Sequence, residues 1–82
     1  MNEYRDKAGS IDIHCKVMAT NILDNGEYMT RSFKASKNEY YKLRNWFVEN
    51  DCKKVLLEAT QVYWYQLYLA LCGSLRVIVD NP

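Results

Sequence analysis

The chain has 82 residues, 49% apolar and 26% charged, with a formal net charge of +1. This length allows one small domain or part of one, and the near-neutral charge gives no support for nucleic-acid binding, whose usual electrostatic footprint is a basic stripe. Cys15, Cys52 and Cys72 are odd in number, widely spaced and form no C-x-x-C pair, which suggests neither a zinc site nor a disulfide framework and predicts reduced, mostly buried thiols.

Residues 1–8 are polar and unpatterned, and are expected to form a tail. From Gly9 the pattern becomes strand-like: Ile11 and Ile13 share one face, with Ser10, Asp12 and His14 on the other. A turn at His14-Cys15-Lys16 leads into a second strand, Val17 to Leu23. Asp24-Asn25-Gly26 is then a hairpin signal, because Asn-Gly tolerates the positive φ angles of tight hairpins. Glu27 to Ala35 reads as a third strand with neither face cleanly apolar, which suits an edge position.

Ser36-Lys37-Asn38-Glu39 has the form of a capping box. The helix it opens carries Tyr40, Leu43 and Phe47 at helical spacing, and Asn50-Asp51 is its stop. Lys54 to Ala59 is a short apolar run of the kind found in buried central strands. Thr60 is placed to cap a second helix, Val62 to Cys72, which Gly73 is expected to end. Leu75 to Val79 is the last strand, broken by Asp80-Asn81-Pro82. Three hairpin-connected strands followed by helix, strand, helix and strand predict an α/β fold with a mixed sheet.

Asp12 and Glu58 are the candidate chemical residues. Asp12 lies mid-strand between isoleucines, where a carboxylate is costly unless solvated or paired with a cation. Glu58 ends an apolar strand just before a helix, and open α/β sheets place ligands beyond the carboxyl ends of their strands. If the first and fourth strands are parallel neighbours, the two acids meet and suit a hard divalent cation. Spacing alone supports equally the plainer alternative of two solvated acids at strand edges. His14 and Met18 fit a turn and a core position rather than ligand roles.

The residues also resemble a family. Gly9 to Lys16 (GSIDIHCK) looks like the opening strand of DEDD-type insertion-sequence transposases, bridge-RNA-guided recombinases that usually read G-I-D-V-H-K there. The Asp-Asn-Gly hairpin and a helix ending in Leu-x-x-Trp-Phe continue the likeness. Glu58 to Trp64 (EATQVYW) resembles the family's E-A-T-G-x-Y-W, and the chain reaches an Asn-Pro pair like the family's. The resemblance spans Gly9 to Pro82. It implies part of a ribonuclease H-like, RuvC-like N-terminal catalytic domain over residues 9–82, incomplete at its C-terminus. It further implies DNA transposition by metal-dependent strand cleavage and transfer, in which Asp12 and Glu58 match the first two of four magnesium-binding acids.

The resemblance places the third and fourth acids beyond the Asn-Pro pair, and an attacking serine in a separate domain. The chain is therefore expected to be inactive alone, with DNA, and for some members a guide RNA, as partners of the full-length parent. Ser10 stands where the family has glycine, Cys15 where lysine is common, and Gln61 where a glycine follows E-A-T. Gln61 is expected to strain the loop beside Glu58.

The second helix carries Tyr63, Trp64, Tyr65 and Tyr68 among Val62, Leu67, Leu69 and Leu71, with almost no polar face. Its surplus apolar surface predicts a contact, with a second copy, a further region of the parent, or RNA. The alternative function is thus a non-catalytic association module. An actin-like ATPase fragment is disfavoured, because no glycine-rich phosphate loop follows Asp12. The longest apolar stretch is interrupted by Gln66 and too short to span a bilayer, and no N-terminal signal is visible. A soluble, cytoplasmic protein without a membrane partner is expected.

Overall fold

The computed structural model describes residues 7–58 and 64–80. They form strands β1 (Ala8–His14), β2 (Val17–Asp24) and β3 (Glu27–Lys34), helix α1 (Lys37–Glu49), strand β4 (Lys54–Glu58), helix α2 (Trp64–Leu71) and strand β5 (Arg76–Asp80). The strands make one mixed sheet of order β3-β2-β1-β4-β5. β1, β2 and β3 pair antiparallel through hairpins, while β4 and β5 run parallel to β1.

The hairpins follow from local chemistry. Asn25 and Gly26 both take positive φ, as a type I′ turn requires at its two central positions. Cys15, in the first turn, also has positive φ. That left-handed backbone costs most side chains about 1–2 kcal/mol. β3 takes the edge position, and Phe33 is its buried residue.

Both helices contribute to one core on one face of the sheet. Ile11, Ile13, Met18, Ile22, Val55 and Leu57 project from the strands to meet Tyr40, Leu43 and Phe47 of α1 and Leu67 and Leu71 of α2. Thr20, buried on this face, donates its hydroxyl proton to the Arg31 carbonyl at 2.6 Å. Gly9 permits close approach of α1: a methyl group there would lie 2.6 Å from Phe47 Cε1 and 3.1 Å from Cys52 Sγ. Burial pushes the Cys52 thiol above its ordinary range, so it stays protonated as a core residue, as expected. Cys15 and Cys72, by contrast, are exposed.

Several local expectations need correction. Ser36 is the N-cap of α1 but makes no side-chain capping hydrogen bond. Its backbone N–H donates to the Lys34 carbonyl at 2.9 Å, so the amide that a capping-box glutamate would accept from is already used. Glu39 instead accepts from the Lys34 N–H at 3.3 Å and pairs with Lys42 at 3.2 Å. The hydrogen bond from Lys42, then that from Lys34, holds its carboxyl below the usual carboxylate range.

α1 stops at Asn50 as expected, through a Schellman arrangement. Asp51 takes positive φ and donates to Val48 O, while Cys52 donates to Phe47 O. Gly73 supplies no such left-handed cap to α2. That helix closes through turns in which Ser74 and Leu75 both donate to Leu71 O, and this holds Leu75 in the core and moves the start of β5 to Arg76. β1 begins at Ala8, one residue earlier than the pattern suggests. Lys7 is anchored to Asn50 O at 2.6 Å and to Asp24 at 3.9 Å. The Thr60 cap, Gln61, residues 59–63 of the Glu58-to-Trp64 motif, and the Asn81-Pro82 pair lie outside the described residues.

Two outcomes test this packing. Gly9→Ala should destabilise the chain by about 1–3 kcal/mol through overpacking against Phe47, and adding Phe47→Leu should recover part of the loss; denaturant titration of the four variants measures the coupling. Because the folded Glu39 carboxyl titrates below its unfolded value, its stabilisation is present above the unfolded pKa and fades as pH falls through the folded one. The Tm gap between wild type and Glu39→Gln should therefore be measurable at neutral pH and close in acid.

Candidate functional site

The alternation of β1 sends Ile11 and Ile13 into the core and leaves Asp12 and His14 exposed on the opposite face. β4 repeats this, with Val55 and Leu57 buried, Lys54 and Leu56 exposed and Glu58 half-buried. Because β1 and β4 pair parallel with Ile11 opposite Leu57, the next register position sets Asp12 opposite Glu58. Residues opposed on neighbouring strands share a face and sit about 4.8 Å apart along the ladder. The two acids singled out from the sequence are therefore side by side on the face of the sheet that neither described helix covers.

The register adds a residue that sequence reading treated only as a strand breaker. Asp80 of β5 pairs with Glu58, so Asp12, Glu58 and Asp80 form a row across three parallel strands. Alternation could have flagged Asp80, since Arg76, Ile78 and Asp80 occupy one side of β5. The row is linear: Asp12 and Asp80 are separated by two ladder steps, about 10 Å. Among the described residues, no group of three or more His, Cys, Asp or Glu side chains converges enough to hold a metal ion.

Two adjacent carboxylates can still hold a cation. Magnesium is commonly bound by one or two carboxylates, keeping waters or phosphate oxygens on its other positions. The ion pairs among the described residues, Lys7 with Asp24 and Lys42 with Glu39, use neither Asp12 nor Glu58. Ser10 and His14 flank Asp12 on the same strand face, and Ala19 is its β2 neighbour.

The apolar helix is only partly absorbed by the core. Leu67 and Leu71 are buried and Trp64, Tyr68 and Ala70 pack beside them, but Tyr65 and Leu69 are each 53% exposed. Tyr65 stacks on Tyr68 with centroids 6.2 Å apart, and Trp64 meets both edge-on. A groove between the helices is lined by Lys37, Tyr40, Tyr41, Gln66, Leu69 and Ala70. No described helix is long and apolar enough to cross a membrane.

No protein-family model matches the chain, and no curated protein sequence matches it. Solved structures do. The Fowlpox virus Holliday junction resolvase superposes with a TM-score of 0.67 and 22% identity, covering 93% of this chain and 61% of the resolvase. The structure of the Fowlpox virus resolvase with its substrate Holliday junction DNA gives 0.65 and 21%, covering 93% and 60%. The chain thus spans about three fifths of the length of these neighbours. Its mixed five-stranded sheet with two helices has the ribonuclease H-like fold of these resolvases.

Proposed function

We propose that this chain is the N-terminal part of a DNA-cleaving recombinase, of the DEDD transposase type that its motifs resemble, and that Asp12 and Glu58 form half of a magnesium site. The observation that carries this reading is the register placing the two carboxylates side by side on the open face, outside every described ion pair. The shared fold supports it, since the neighbouring proteins are resolvases and one of those structures includes junction DNA. DNA is accordingly the proposed partner of the whole protein, with a guide RNA as in some transposases of this type.

In this role the metal, when bound, would stabilise negative charge on the scissile phosphate and attacking oxygen. Asp12 and Glu58 would supply carboxylate ligands, held at fixed spacing by the β1–β4 ladder. Two such ligands cannot fix a two-metal geometry, so strand cleavage by this chain alone is expected to remain at background.

The second reading is a non-catalytic association module, favoured by the exposed Tyr65 and Leu69 on α2.

Titration calorimetry with manganese or magnesium should show weak binding to the wild-type chain, reduced about tenfold or more by either Asp12→Asn or Glu58→Gln. Equal affinity in wild type and both variants would remove the metal reading. Plasmid nicking that requires magnesium and is lost in Asp12→Ala would instead overturn the expected inactivity of the isolated chain.

A further inference from the structure

The face of the sheet that neither described helix covers has an order of its own, independent of the metal reading. On β4 it presents Lys54, Leu56 and Glu58 in sequence, and on β5 Arg76, Ile78 and Asp80. The register aligns these as three cross-strand pairs: Lys54 with Arg76, Leu56 with Ile78, and Glu58 with Asp80. A basic row, an apolar row and an acidic row therefore follow one another along the strands. Leu56 is 37% and Ile78 46% exposed, so the apolar row is open.

We propose that this face is a self-association surface on which a second copy of the chain stacks face to face, about a two-fold axis along the Leu56–Ile78 row. Such an axis reverses the strand direction and preserves the order of strands. Lys54 and Arg76 of one copy then lie over Glu58 and Asp80 of the other, twice by symmetry, while Leu56 and Ile78 meet their own counterparts. An isologous interface requires this kind of self-complementarity.

The remainder of the face obeys the same operation. Ser10, Asn21 and Thr30 continue the axial row, since Ser10 pairs with Asn21 and Leu56, and Asn21 with Thr30. On β2 the axis sets Leu23 over Ala19, and on β3 it sets Tyr28 over Ser32, a large side chain against a small one each time. Asp12 falls over Ala8, so it takes part in no charge pair across the interface. Tyr28, 69% exposed, gains a partner surface. Without a bound cation, a polyanion is a poor occupant of the same face, because the Asp12, Glu58 and Asp80 row repels it.

Packed sheets stack about 10 Å apart, a separation that long lysine and arginine side chains bridge. The face measures about 24 Å by 17 Å at ordinary strand spacings, small beside the roughly 800 Å² per partner of standard interfaces. The association is accordingly weak and concentration-dependent. It covers the Asp12 and Glu58 pair, so stacking and metal or DNA access at that pair exclude one another.

Analytical ultracentrifugation of the whole chain across the micromolar to millimolar range tests the proposal. Wild type should pass from monomer to dimer, and Arg76→Glu should weaken the dimer by about tenfold or more. Arg76→Glu combined with Asp80→Arg should restore it, because the swap rebuilds the pair with reversed sign. Circular dichroism of the exposed-site variants checks that each remains folded. Asp12→Asn separates the two readings: it removes a proposed metal ligand and leaves every interfacial charge pair intact, so it should still dimerise. A wild-type monomer at all concentrations overturns the proposal. So does a dimer indifferent to Arg76→Glu but broken by Leu69→Lys, which would place the contact on α2.

Discussion

The parallel ladder between β1 and β4 joins the hairpin half of the molecule to the helical half, bringing Gly9 through Asp12 against Val55 through Glu58. These four paired positions set the core on one face, through Ile11 and Leu57, and the carboxylate pair on the other. A slip of one residue would turn Leu56 into the core and expose Leu57, at a cost of about 1.5–3 kcal/mol for each large apolar side chain left in water. Core burial therefore fixes the spacing of the acids, although neither acid contributes to the core.

The helices enforce that register. Phe47 of α1 sits where only a glycine at position 9 leaves room, so the small residue at the start of β1 sets how closely α1 lies over the sheet. The Schellman closure after α1 then delivers Cys52 into the core beside Phe47 and launches β4 two residues later. Termination of one helix thus aims the central strand at β1. Where sequence pattern suggested a second capping device, at Ser36, an ordinary backbone bond to Lys34 had already taken the amide, and Glu39 found other partners.

Because both described helices pack on one side of the sheet, the character of the other face is decided by the outward residues of every strand. Here that face is ordered by sign on β4 and β5 and by size on β2 and β3. Its acidic row is attractive to cations, and its alternation of basic and acidic rows is attractive to a copy of itself. The two proposals share Glu58, so metal access and stacking would compete for one surface.

Much of the architecture was legible from the residues because it rests on local rules. The Asn25-Gly26 turn, the alternation of Ile11 and Ile13, the Tyr40, Leu43 and Phe47 stripe and the edge character of β3 all follow from dihedral preference or hydrophobic period. The candidates Asp12 and Glu58 were legible too, since each stands in or at the end of an apolar strand. Their adjacency was legible only on the condition that the first and fourth strands pair in parallel, and the ladder meets that condition. The condition itself had to come from the fold, because strand pairing joins residues far apart in the chain and no local preference encodes register. Asp80 reads in the sequence only as part of a strand breaker for the same reason: it gains meaning when β5 aligns with β4. Hydrophobic pattern thus settles which residues face the core and which face away. Which outward residues become neighbours is left to the folded ladder, because packing of the buried face makes that choice.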